Sequence, residues 1–368
     1  MRRREFLHSM SAGASLRVAH AISYAQPEPA QERLSGFCRR LEPVGRILEL
    51  PDWRVWGCSP LDGPDGKVHV FFARWPIRTG HEGWLTHSEV AHAVADKPEG
   101  PYRVLGTVLK GRGAGAWDSD MIHNPTIHKV GNRYALFYIG NSVERARRMG
   151  EQASGAQRIG LAMADSLDGP WQRVGDGPLL EVSPNRKDWD SYITVNPALL
   201  QHPNGQFWLY YKAWDKYNSG DIRKVGVAIA DRIEGPYRRH PKNPLIDFSS
   251  RGVWLEDPYV FIEGGKFFMI TRDHGFFTGK ANNAKPTPGL LFESGDGIRW
   301  SEPAIAFKTA EAYFNEPNPD PLPRGGRFER PQILMRGGRA AYLFVAFVGG
   351  KYRTSSGAVF RVRPPAQR

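Results

Sequence analysis

The 368-residue sequence predicts an all-β chain folded as a five-bladed β-propeller. Three observations lead there. A turn-prone dipeptide ending in Pro, a polar step with Gly and an aromatic-rich run recur together five times. The dipeptides are Ser59-Pro60, Asn124-Pro125, Asn196-Pro197, Asp257-Pro258 and Arg330-Pro331, and the runs are residues 68–72, 134–138, 207–211, 267–270 and 341–345. The prolines stand 65, 72, 61 and 73 residues apart. Units of this size with several short strands each imply a propeller or an array.

The second observation is a turn repeated between the blade starts. Residues 96–102, 165–171 and 231–237 each run from Asp to Gly-Pro-aromatic, and residues 293–300 are a degenerate fourth copy. Acidic-Gly-Pro bends between β-prone runs are expected to join the outer strands of a blade. The third is composition: 40 Gly and 29 Pro suit a turn-rich all-β chain. Helical periodicity is nearly absent after residue 50, save a short helix expected around residues 143–150.

The start of the chain reads differently. Arg3-Arg4-Glu5-Phe6-Leu7 resembles a twin-arginine export motif, followed by a small-residue stretch that Arg17 and His20 interrupt. Residues 1–25 are therefore expected to be an export signal, 26–45 a leader into blade one, and 46–362 the propeller. A periplasmic or secreted location is therefore expected. No run reaches membrane-spanning length, so no membrane association is expected once the signal is removed.

The net charge of +12 and 40% hydrophobic content describe a basic globular chain. Its Arg and Lys residues are scattered and no recognition motif accompanies them, so nucleic acid is not the expected partner. An acidic oligosaccharide or polysaccharide suits the charge and compartment, and ordinary solvated surface charge suits it equally. Cys38 and Cys58 make no disulfide framework and lack metal-ligand spacing.

In a propeller the innermost strand of each blade lines the axis. First strands are expected to follow the five prolines, so residues beside each Pro converge on one funnel. These include His123, Asn124, Asn196, Glu256, Asp257, Glu329 and Arg330. Asp118, Asp120 and Asp190 add carboxylates at the rim, while Lys212, Trp214 and Arg272 end the first strands of blades three and four. Carboxylates, amides and aromatic planes in one cleft suit a sugar, and two carboxyl groups can divide the work of glycoside cleavage. Asp118, Asp120 and Asp190 serve equally well as turn caps, and Asn124 and Asn196 as turn formers before Pro. Arg330 reads either as a bidentate ligand for a sugar carboxylate or sulfate, or as an internal ion pair.

Across residues 46–362 the chain resembles five-bladed propeller glycosidases of glycoside hydrolase family 43 and relatives such as family 117. The resemblance rests on the Pro-anchored blade starts and on residues 254–258, 289–294 and 297–300. It implies a general acid at Glu256, two residues before the blade-four Pro. The base position before the blade-one Pro holds Ser59, and the blade-three Asp is replaced by Asn196. The reading that follows keeps Glu256 protonated beside Asp257, with Asp120 ahead of Asp118 as substitute base. His274 is a rival acid by similarity to family 117, which uses a His. No cofactor is required, and a structural Ca²⁺ on the axis is compatible with the resemblance. The expected function is hydrolysis of an oligosaccharide. The alternatives are a non-catalytic carbohydrate-binding propeller, or glycosyl transfer or phosphorolysis on the same scaffold.

Overall fold

The computed structural model describes residues 33–215, 221–281, 285–316 and 325–365; the export signal expected in residues 1–25 lies outside them. Five four-stranded antiparallel sheets stand in a ring. Blade one is Trp53–Asp62, Val68–Pro76, Glu89–Ala95 and Arg103–Leu109. Blade two is Met121–Val130, Arg133–Asn141, Arg158–Ala164 and Gln172–Arg173. Blade three is Ile193–Gln201, Phe207–Trp214, Lys224–Ala230 and Arg238–Arg239. Blade four is Trp254–Glu263, Lys266–His274, Gly289–Ser294 and Ala304–Phe307. In blade five, Phe328–Arg336, Arg339–Gly349 and Thr354–Val362 are completed by Leu41–Ile47 from the start of the chain. The leader thus feeds blade five before it reaches blade one. Closure requires this, because Thr354–Val362 would otherwise present an unpaired edge.

The repeated aromatic runs are second strands, so Lys212, Trp214 and Arg272 end second strands, not first. The prolines do not precede the innermost strands either; they lie inside them. In blades two to five each Pro follows a residue at positive φ (Asn124 49°, Asn196 55°, Asp257 58°, Arg330 51°), and the strand register slips there. A β-bulge releases the Pro from donating to the ladder, which is why Pro is tolerated in an axial strand. Blade one makes its bulge two residues earlier than Pro60. Its register slips between Trp56 and Ser59, and Gly57 supplies the positive φ of 59°. Trp56 and Gly57 are therefore the counterparts of Glu256 and Asp257, and the expectation that Ser59 holds the blade-one base position is corrected. Ser59 is buried; its hydroxyl donates to Gln332 Oε1 (3.2 Å) and accepts from Ile127 N–H (3.0 Å).

The acidic-Gly-Pro turns join third to fourth strands as expected, and the short helix forms at Val143–Arg148. Phe137, Tyr210 and most other second-strand aromatics are buried between neighbouring blades. Phe268 is half-buried against Phe261. Each such ring removes enough apolar surface from water to stabilise the fold by about 2–3 kcal/mol. Among the described residues no helix is long and apolar enough to cross a membrane.

Candidate active site

The five bulge residues meet on the axis. Asn124 Nδ2 lies 3.5 Å from Asn196 Oδ1, and the Asn196 amide donates to Asp257 Oδ1. Asp257 Oδ2 accepts from Arg330 N–H at 3.1 Å, and Arg330 NH2 reaches Asn124 O at 3.5 Å. Gly57 closes the ring; a Cβ there would sit 3.3 Å from Asn124 Oδ1. A left-handed conformation costs a residue with a side chain about 1–2 kcal/mol. At four of the five positions the side chain compensates by bonding its neighbour in the ring.

Above the ring opens a cavity of about 760 Å³, within the usual range for small-molecule sites. Its aromatic lining comes from Trp56, Trp75, Trp84 and His123 of blades one and two and from Tyr192 and Trp214 of blade three. Trp84 lies 4.9 Å from His123, whose Nδ1 meets Ser88 Oγ at 2.8 Å. The charged lining holds Glu256, Asp257, Glu329, Lys212, Asp221 and Arg223.

Glu256 is the most heavily contacted of these groups. Oε1 lies 3.0 Å from Lys212 Nζ and 3.4 Å from Arg223 Nε. Oε2 lies 3.2 Å from both Arg272 NH1 and His274 Nε2. Burial alone would raise this carboxyl, but Lys212, His274 and Arg272 outweigh it and hold Glu256 well below the usual carboxylate range. The expectation of a protonated general acid at Glu256 is therefore corrected: it is an ionised carboxylate. Asp257 moves the other way. Burial pushes its carboxyl up; Arg330, with NH1 at 3.7 Å, pulls it back, and Glu256 beside it adds to the rise. Burial lowers His274 against the pull of Glu256, so the ring is neutral and donates through Nε2 to the carboxylate. It stacks on Trp254 at 5.3 Å, behind Glu256 and outside the cavity lining.

The structure brings His123, Asn124, Asn196, Lys212, Trp214, Glu256, Asp257 and Glu329 to the cavity, with Arg272, His274 and Arg330 behind them. Arg272 NH1 also lies 3.1 Å from Glu329 Oε1. Asp118 and Asp190 go elsewhere. Asp118 is fully buried, bound by Arg112 (2.5 Å), Arg173 (2.8 Å) and the Tyr138 hydroxyl (3.0 Å). Asp190 repeats the arrangement with Arg239 (2.5 Å) and Tyr211 (2.8 Å). Each preceding Trp stacks on the same Tyr, Trp117 on Tyr138 and Trp189 on Tyr211. These Trp-Asp pairs clamp the second strand of a blade to its fourth. Asp120 also stays outside the cavity lining: its Oδ2 accepts from Ser119 Oγ and from Val143 N–H (2.9 Å). The carboxylate expected to replace the base therefore anchors a loop.

Sequence reasoning missed Trp56, Trp75, Trp84, Tyr192, Arg223 and Glu151. Trp56 was recoverable from Gly57, the residue type a bulge at positive φ accepts most readily. Trp84, Arg223 and Glu151 sit on connections between second and third strands, which the repeats leave unmarked.

The axis does not fit a structural Ca²⁺. Arg330 brings a buried guanidinium to the ring, Asp257 is its sole carboxylate, and no group of three or more His, Cys, Asp or Glu side chains among the described residues could hold a metal.

No known family profile matches the chain. A stretch of 99 residues is 32% identical to xylosidase/arabinosidase 43A of Humicola insolens, spanning 27% of each protein. The match therefore covers about a quarter of that relative's length. Over 84% of this chain and 85% of the other, the structure is similar to a family 117 glycoside hydrolase of Zobellia galactanivorans, with TM-score 0.61 and 18% identity. The endo-arabinase of Bacteroides thetaiotaomicron is similar over 89% of this chain and 98% of its own (TM-score 0.57, 12% identity). A family 43 β-xylosidase/α-arabinofuranosidase from a compost metagenome, in complex with xylotriose, is similar over the same shares (TM-score 0.55, 13% identity). The shared fold is the five-bladed propeller of these glycosidases.

Proposed function

We propose that this protein is a glycoside hydrolase that cleaves an oligosaccharide in the axial cavity. The observation that carries the reading is a single cavity lined both by tryptophans and by an ionised Glu256, on a fold shared with family 43 and 117 glycosidases. Tryptophan faces stack on sugar rings. An ionised carboxylate meets the positive charge that develops at the anomeric carbon and orients the attacking water. Lys212, Arg223, Arg272 and His274 keep Glu256 charged and fixed. The similarity to proteins named for xylose- and arabinose-containing substrates makes pentose oligosaccharides the first class to try.

The test is a screen of purified protein against xylo-, arabino-, galacto- and anhydrosugar oligosaccharides and nitrophenyl glycosides. Cleavage that falls about 10²–10⁴-fold in Glu256→Gln, with sugar binding kept, supports the reading. One observation favours a second reading, a carbohydrate-binding propeller without catalysis. Gly57 leaves the blade-one bulge without any side chain where the family resemblance implies a base. Sugar binding without cleavage decides for it.

The protein is further read as exported, on Arg3-Arg4-Glu5-Phe6-Leu7. Replacing both arginines by Lys is expected to leave precursor in the cytoplasm, and normal export of that variant removes the reading.

A further inference from the structure

Glycoside cleavage needs a proton donor as well as a carboxylate, and neither Glu256 nor the blade-one bulge supplies one. Glu151 lines the same cavity and belongs to an insertion between the second and third strands of blade two. Blade three stands between it and blade four, which carries Glu256. The two carboxyl groups therefore approach the cavity from non-adjacent blades.

The insertion is held firmly. Ser142 Oγ accepts from Arg145 N–H at 3.2 Å and caps the helix Val143–Arg148, while Asp120 takes the Val143 N–H. Asn141 Nδ2 donates to Leu85 O (2.9 Å) and Ala153 O (3.3 Å), and Arg158 NH1 to Gly155 O (3.1 Å). At the cavity Tyr192 OH donates to Glu151 Oε2 at 3.0 Å. Gly155 packs against this pair: a Cβ there would lie 2.6 Å from the Tyr192 oxygen and 3.0 Å from Glu151 Cβ. A carboxyl oriented by a phenol and fixed by a close-packed glycine has the positional definition that proton transfer requires.

We propose that Glu151 is the proton donor that works with Glu256 in this cavity; this rests on the glycoside hydrolase reading. Glu151 gives its proton to the glycosidic oxygen as the carbon–oxygen bond breaks and the bonding electrons pass to that oxygen. Water adds to the anomeric carbon and releases its proton to solvent, while ionised Glu256 faces the positive charge that develops there, and Glu151 is reprotonated from solvent.

Three variants of the full chain test the assignment with the oligosaccharide cleaved by the unaltered protein and its nitrophenyl glycoside. Glu151→Gln is expected to lower kcat on the oligosaccharide about 10²–10⁴-fold, with a much smaller loss on the nitrophenyl glycoside, whose leaving group needs no proton. Tyr192→Phe removes the hydrogen bond that orients the Glu151 carboxyl and is expected to lower kcat on the oligosaccharide more than on the nitrophenyl glycoside. A Glu151 with only a structural role would lower activity equally on both substrates. Asp257→Asn leaves the alkaline limb of the pH–rate profile in place if Glu151 is the donor. Equal losses on both substrates in Glu151→Gln or in Tyr192→Phe, or disappearance of the limb in Asp257→Asn, overturns the assignment while the hydrolase reading stands. An unaltered protein that binds sugars and cleaves none overturns both.

Discussion

Lys212 Nζ stands 3.0 Å from Glu256 Oε1, and the two are contributed by adjacent blades. The pair spans the seam between blades three and four, so the charge state of Glu256 depends on how those blades pack. Replacing the ammonium with an apolar chain in Lys212→Met removes one of the cations that hold the carboxyl down. In the proposed reaction Glu256 acts ionised, so its pKa sets the acid limb of the pH–rate profile. That limb is expected to move to higher pH in Lys212→Met, measured as kcat/KM against pH. An unmoved limb means Glu256 does not titrate in the reaction.

Acid should unfold this protein through its histidines. His92 is lowered to about 4, first by burial and then by His69, with Asp168 and Asp65 opposing; burial alone brings His128 to about 4. Both are neutral when folded, and His92 Nε2 is hydrogen-bonded to His69 Nδ1 at 2.8 Å. A depressed histidine contributes stability that is present above the unfolded value near 6.5 and lost as pH falls through about 4. Thermal melts between pH 7 and 4 are expected to show a falling Tm, with a shallower fall in His92→Phe.

Asp118→Asn is expected to cost roughly 3 kcal/mol or more, because Arg112 and Arg173 lose their buried counter-charge. The protein that remains folded should keep its kcat, since the clamp lies outside the cavity lining. Urea unfolding alongside turnover per folded molecule separates the two effects, and a lost kcat at unchanged stability contradicts the structural role.

Ser59→Ala should behave similarly on a smaller scale. Losing the hydroxyl leaves Ile127 N–H and Gln332 unsatisfied at about 1–3 kcal/mol. Turnover is expected to be unchanged, which a Ser59 in the reaction centre would not allow.

The fold was legible because each blade repeats the same chemistry: a Pro at a bulge, an aromatic second strand and a Gly-Pro turn before the fourth. The site was half legible. Asn124, Asn196, Asp257 and Arg330 were found because each stands beside a bulge Pro. Trp56 and Gly57 were missed because Pro60 lies beyond the blade-one bulge, where glycine makes the backbone conformation that a Pro marks elsewhere. Asp118 and Asp190 misled because a Trp-Asp pair beside an axial strand reads the same whether it faces a sugar or an arginine. That difference is set by Arg173 and Arg239, some fifty residues away in sequence. Glu151 carried no signal, since it sits in an insertion that no other blade repeats.

Pairing Leu41–Ile47 with Thr354–Val362 has a consequence for synthesis and trimming. The ring is complete only once the last strand has been made, so earlier blades wait with an open seam between five and one. The export signal expected in residues 1–25 ends well before Leu41. A cut inside Leu41–Ile47 would strip the outer strand from blade five and leave Thr354–Val362 as a bare edge for another chain to pair with.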